Sequence, residues 1–527
     1  MYRTTKQPII IVAALSLSLQ ATAQSLEEGI KMYHYERYES AKKILTPLAA
    51  SSPIANYYLG LSELGVENTA AAQAIFSKYA DDAANQSGMA RIAFANGNAT
   101  EGQRLAKIVA DKAKKKEWEP LKYAADAVTY SEGSDKQAAI DWYKAALTKA
   151  DNTPLRLALG DAYRQVIGGG GEAMNNYERV TSKEPNNSLA FSKIGALWYA
   201  AKNYKLALEN YNKAKEADPN NPLPYRDLAN AYFWTGKYEL AKQNIEHYLS
   251  LSDKSIDDQI QYANILYLSK DYPGAINKVN ELIQSGVSKP GFYGILAYSQ
   301  LETKDTSNAL VNVRKYFSMQ KPEKIFPSDY INYGKILLAN NQADSANNYF
   351  SKAIAADTAK DKSERYREIA EGFKSLKTTE GYAKAGEWYG KIIAENPQAK
   401  ALDYFYTGFY SYYSKNYSAA ASAFEQMEAK FPDQPSAIYW RARVASAQDE
   451  EAKKGTATAY YEKWLQTTVA GYEKKNADLM YAYQYLALYY YNTGDKVSMN
   501  TYLSKIEAIE PANAFLKQMK DLGKKKG

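Results

Sequence analysis

His34 and His247 are the only histidines in a chain of 527 residues, and there is no cysteine. That inventory bounds the chemistry. Without thiols there is no cysteine nucleophile, no disulfide, no Cys-ligated zinc and no iron–sulfur cluster. A multi-histidine metal site has too few ligands. A Ser–His–Asp relay would have to use one of two histidines that read as surface or packing residues on helices. Carboxylates are abundant, but no pair stands out as an acid–base couple. The tetraglycine Gly168–Gly171 could cradle a phosphate. It lacks the Lys-Ser/Thr that follows in a P-loop and the strand that precedes it, so it reads as a turn. The residues therefore predict no catalytic site, no metal and no cofactor.

The remaining chemistry is aromatic. The chain holds 48 tyrosines, and within Ala217–Ala241 four aromatics fall close together: Tyr232, Phe233, Trp234 and Tyr238. Such rings either pack or bind, and the elements that carry them decide which. Charge adds little: 66 basic and 59 acidic residues leave +7. The basic residues are scattered apart from Lys112, Lys114, Lys115, Lys116 and the terminal Lys524, Lys525 and Lys526. Nucleic-acid binding needs a concentrated basic stripe, and its absence from the sequence predicts no such partner.

The elements repeat. Ala139 and Ala173, then Ala207, Ala241, Ala275 and Ala309, each stand 34 residues or a multiple of 34 from the next. Looser steps continue at Ala346, Ala385, Ala420, Ala457 and Met499, and upstream at Ala41, Ala72 and Gly102. A 34-residue period is that of a helix–turn–helix array. In Ser188–Asn221, Ile194-Gly195, Trp198, Tyr204, Ala207, Tyr211, Ala214 and Pro219 fill one pattern. Gly195 and Ala207 lack bulk, so helices A and B can approach. Tyr204 and Tyr211 fill the space between them, and Pro219 ends the unit. Lys202-Asn203 is the A–B turn, and the next unit has Gly236-Lys237 there, with Gly suited to a left-handed helix end.

This pattern closely resembles the tetratricopeptide repeat. The resemblance covers nearly all of the chain after its leader and implies an all-α fold: an α-solenoid, wound as a right-handed superhelix of about fourteen helix–turn–helix units. Within a unit it places helix-A positions 2, 5, 9, 12 and 13 on the concave face. In the unit starting at Pro222 those positions hold Arg226, Asn230, Phe233 and Trp234, whereas Tyr232 and Tyr238 occupy packing positions. By the same count Tyr199, Tyr267, Phe405, Phe409, Tyr412, Tyr413, Tyr481 and Tyr491 face the groove. The two-carboxylate clamp of some family members is incomplete here: Arg226 and Asn230 match its first unit, Gln261 is only similar in the second, and Gly291 and Ile295 carry no charge in the third.

The N-terminus has a basic start (Arg3, Lys6), an apolar run Ile9–Leu19 and Ala21-Thr22-Ala23. This is the form of a secretory leader, residues 1–23, cut after Ala23. No lipidation cysteine follows and no later segment is apolar enough to span a bilayer, so an exported periplasmic or extracellular protein without span or lipid anchor is expected. The lengthened junction Lys321–Pro327 suggests two arrays, 24–325 and 326–520, with a Lys-rich tail at 521–527. Asp357-Thr358-Ala359 resembles a bacterial O-glycosylation motif, with Thr358 in a loop.

The function expected is a non-catalytic scaffold that binds protein or peptide partners in its groove. The overall form is similar to that of exported tetratricopeptide proteins assigned to TonB-linked envelope systems. Two other readings compete: a glycan-binding protein of the SusD type, and an architectural spacer in a secretion or motility complex.

Overall fold

A computed structural model describes residues 25–525. The leader and its cleavage site lie outside the described residues. Among those described every regular element is helical, in order from a first helix at 25–34 to Ala514–Lys525. The helices run as consecutive pairs, most A helices packing chiefly on the B helix that follows; Ala401–Tyr413 and Ser436–Ala447 pack at least as much on the B helix before them. This is the all-α repeat architecture that the periodicity predicts.

The repeat residues explain the pairing. Ala41, Ala72, Ala139, Ala173, Ala207, Ala241, Ala275, Ala309, Ala346, Ala385, Ala420 and Ala457 are all fully buried, at 0% exposure. Apart from Ala457, which caps helix Thr458–Gln466, each lies within a B helix at a buried position, where a larger side chain would push the paired helices apart. Met499, aligned in the last unit, is only half-buried. The A-helix glycine makes the opposite half of the fit. A Cβ on Gly195 would stand 2.6 Å from the Tyr211 ring, and one on Gly408 2.6 Å from Phe424. The B-helix ring lies on bare backbone and is itself buried, as Tyr211 and Phe424 are.

The turns follow one rule as well. Gly168, Lys202, Gly236, Lys270 and Lys304, each 34 residues from the next, all have positive φ. In the Lys202 turn, the Lys202 N–H donates to the Tyr199 carbonyl and the Asn203 N–H to the Trp198 carbonyl, both at 2.9 Å. Those bonds satisfy carbonyls at the end of helix A, which offsets the cost of a left-handed lysine. The Asn203 side chain then accepts the Leu206 N–H at 3.2 Å and caps helix B. The tetraglycine belongs to this series: Gly168 supplies the left-handed turn, and helix Gly170–Lys183 begins within it.

The described residues form two compact units that part between Val287 and Ser288, so the division expected at 325 falls inside the second. The reason is visible at Lys321–Pro327. Pro322–Lys324 forms a single 3-10 turn, and one apolar core continues past it from Ala309 and Val313 to Ile331 and Phe350. The extra residues lengthen the connection without interrupting the packing. The tail expected from 521 continues helix Ala514–Lys525. Charged Gln448–Lys475 folds as two loops around the short helix Thr458–Gln466. In the first loop the buried Asp449 carboxylate accepts the N–H groups of Lys453, Lys454 and Thr456 at 3.0–3.3 Å.

Candidate partner-binding faces

In the first unit, polar side chains on the A helices tie one pair to the next. Asp161 on Thr153–Tyr163 accepts from Tyr130 and Tyr177, each at 2.7 Å, and pairs with Lys193 at 2.6 Å. Burial pushes its carboxyl up. Lys193 and the two tyrosines outweigh that, so it titrates below the usual carboxylate range. Lys122 and Asp126 pair at 2.5 Å within one A helix, with the Tyr143 hydroxyl of the following B helix donating to Asp126 at 2.6 Å.

Arg226 and Asn230 are engaged within the chain. Arg226 forms an ion pair with Glu36, which lies in the turn after the first helix. Around that pair the Tyr35 hydroxyl donates to Asp218. The Ser40 N–H and hydroxyl donate to Asp253 at 3.0 and 2.6 Å, and Arg37 lies 3.5 Å from the same carboxylate. The first helix pair therefore docks on the segment 218–253 of its own unit. Asn230 accepts a hydrogen bond from Gln261 on the next A helix. These two residues, which match the start of a carboxylate clamp, each engage a partner within the chain.

The four clustered aromatics divide. Tyr232 and Phe233 pack against the core of Tyr225, Ala241 and Ile245, and Tyr238 lies 5.9 Å from Phe233. Trp234 is 66% exposed. Its ring meets Phe233 edge-on at 5.6 Å, and Tyr199, half-buried on the preceding A helix, lies 5.6 Å from Tyr204. Tyr267 is half-buried on Ile256–Leu268, 6.1 Å from Tyr272.

In the second unit the candidates from Ala401–Tyr413 form one cluster. Phe405 stacks on Phe409 at 5.5 Å, Phe409 lies 4.7 Å from Tyr413, and Tyr412 meets Tyr413 at 5.4 Å. Trp440 of the next A helix closes on Phe405, Phe409 and Tyr412 at 6.1, 5.1 and 5.4 Å, so both phenylalanines are half-buried. Tyr413 and Tyr481 remain 47% and 53% exposed. Tyr491 packs against the core of Ala487, Leu503 and Ile506, apart from this cluster.

Three residues of this face escaped the sequence reading: Tyr439, Trp440 and Arg443, all on Ser436–Ala447. Counted from Pro435, Tyr439 and Arg443 take positions 5 and 9, so the rule that yields Phe405 and Phe409 also reaches them. The two loops that follow blur the register there.

The histidines do no visible chemistry. His247 lies against Tyr225, ring centroids 4.1 Å apart, and His34 ends the first helix beside Tyr33 and Tyr58. Thr358 is exposed in the loop after Ala343–Ala356. Among the described residues no group of His, Asp and Glu is arranged to hold a metal ion, and no helix is long and apolar enough to cross a membrane.

No family model and no curated protein matches the chain. Among solved structures it is similar to the C-terminal part of a TPR repeat-containing protein from Cytophaga hutchinsonii, at 28% identity over 49% of this chain and 98% of that one, TM-score 0.38. It is also similar to a tetratricopeptide repeat protein from Parabacteroides merdae, at 22% identity over 50% and 99%, TM-score 0.32. A third likeness is to YrrB, a TPR protein with an unusual peptide-binding site, at 16% identity over 34% and 92%, TM-score 0.30. The fold is read from the chain's own paired helices, buried crossing alanines and left-handed turns, and these make it an α-solenoid of tetratricopeptide-type repeats.

Proposed function

We propose that the chain is an exported, non-catalytic scaffold that binds protein or peptide partners on the A-helix faces of its repeats, within a cell-envelope complex. One observation carries this reading: large rings stand exposed at groove positions of A helices, with Trp234 at 66%, Tyr481 at 53% and Tyr413 at 47%. Exposed tyrosine and tryptophan supply contact area at little rotamer cost, and they dominate binding surfaces for that reason. A purely architectural spacer has no use for them.

Affinity capture tests the proposal. The chain from Gln24 onward is immobilised and challenged with envelope extract of its source, beside Trp234→Ala and Tyr413→Ala/Tyr481→Ala variants of matched helicity. A protein retained by the native chain and lost from a variant supports docking on that face. Equal retention by all three places the contact elsewhere. Retention of glycans instead of protein would favour sugar stacking on the same rings.

A further inference from the structure

Several charged side chains on the second unit's helices pair with carboxylates, whereas Lys391 and Lys430 sit over rings, as Arg443 does. Lys335 pairs with Glu368 at 2.7 Å, and Arg367 with Asp403 at 2.8 Å. Arg365 lies 3.5 Å from Asp357 and 3.1 Å from Glu368. Arg441 lies 3.1 Å from Glu425 and 2.7 Å from Glu428. Arg443, two residues further on the same helix as Arg441, departs from that pairing. No carboxylate among the described residues lies within 4.0 Å of its guanidinium.

Its partners are aromatic: three tyrosines from three successive A helices, its own included, and the Trp440 ring, whose centroid lies 5.5 Å from the guanidinium carbon. One terminal nitrogen donates to the Tyr439 hydroxyl at 3.1 Å and the other to the Tyr412 hydroxyl at 3.3 Å. The Tyr481 ring centroid lies 3.9 Å from the guanidinium carbon. Burial, and after it Asp478 on the helix that carries Tyr481, push the Tyr439 hydroxyl up against the pull of Arg443. Two of five N–H groups are used, and among the described residues no carboxylate forms an ion pair with the cation. Rings and phenol oxygens hold a guanidinium in place, but they do not neutralise it. Its planar fork matches a carboxylate with two parallel hydrogen bonds. A single guanidinium, as opposed to an arginine cluster, matches a monoanion better than a phosphate. The adjoining wall of Phe409, Tyr413 and Trp440 is apolar.

We propose that Arg443, framed by Tyr412, Tyr439 and Tyr481, is a subsite for a peptide carboxylate carried next to an aromatic or branched apolar residue. The carboxylate comes from a chain terminus or from an Asp or Glu side chain. This rests on the groove reading and sharpens it, since it names the group recognised. It differs from the two-carboxylate clamp, whose positions around Arg226 are engaged internally.

The test is a random octapeptide array in matched sets: free terminus against carboxamide, and Asp/Glu against Asn/Gln. It is probed with the full chain, Arg443→Gln and Arg443→Lys, each checked for native helicity. Retained peptides should carry a carboxylate beside an apolar residue and lose about tenfold or more in affinity when it is neutralised. The matched set that shows the loss identifies the source of the carboxylate. Arg443→Gln should abolish the preference, and Arg443→Lys should keep part of it. Peptides retained without a carboxylate preference, or with one that survives in Arg443→Gln, overturn the subsite and leave the groove reading standing. Retention of no peptide overturns both for this face, as does displacement only by uronic-acid oligosaccharides.

Discussion

Glu36 and Arg226, 190 positions apart, form an ion pair inside the first unit. It is the centre of a contact that also joins Tyr35 to Asp218 and Ser40 to Asp253. The contact fastens the first helix pair to the segment 218–253 and consumes the charge of Arg226. The pair is partly exposed, so its own worth is about 0.5–1 kcal/mol. Glu36→Arg should therefore speed amide exchange in 25–45 without unfolding the unit, and Arg226→Glu in the same chain should restore protection. Unchanged exchange in Glu36→Arg would mean that the contact does not hold the pair in place.

The bare A-helix glycine predicts a sharp contrast. Gly195→Val should cost about 1–3 kcal/mol, because its Cβ alone would stand 2.6 Å from the Tyr211 ring. Gly171→Ala has nothing within 4 Å and lies inside helix Gly170–Lys183. It should stabilise by up to about 1 kcal/mol, the helix preference of alanine over glycine. Thermal melts of the two variants should move in opposite directions.

Asp161 gives the first unit a pH dependence. Its carboxyl titrates below the usual range in the folded chain, so the unfolded chain takes up the proton first as pH falls. The stability it contributes is full above the ordinary carboxylate pKa of about 4 and is lost as pH drops through the lower folded value. At pH 7, Asp161→Asn leaves the half-buried Lys193 without its anion and should cost about 1–3 kcal/mol. The gap between native chain and variant, read as amide protection in Thr153–Tyr163, should shrink below about pH 4. A gap that stays constant with pH would contradict the assignment.

The pairing of helices was legible because it depends on local, periodic choices. A small residue is needed wherever two helices cross, and a left-handed residue wherever A turns into B. Ala207 with Gly195, and Lys202 with Asn203, show both needs in one unit. Exposed candidates were legible through the resemblance, whose position count, in keeping with helical spacing, picks out Trp234, Tyr413 and Tyr481. Contacts between distant repeats left no such mark. Glu36 and Asp253 are ordinary surface acids in the sequence, and only the winding of the unit brings them to Arg226 and Ser40. Neighbouring repeats hid two further facts. Trp440 half-covers Phe405 and Phe409, and Arg443 lacks the carboxylate that Arg367 and Arg441 have. Both depend on the next unit, which position counting within a unit does not see.

The central claim is that partners dock on the A-helix faces, and site-specific photo-crosslinking tests it most directly. A benzophenone amino acid is placed at Trp234 or Tyr413, and as controls at Val311 or Val497, which are 61% and 79% exposed on B helices. The chain is expressed in its source and irradiated there. The account predicts discrete protein adducts from Trp234 or Tyr413 and none from the B-helix sites. Adducts only from Val311 or Val497, or the same adducts from all four positions, would contradict it.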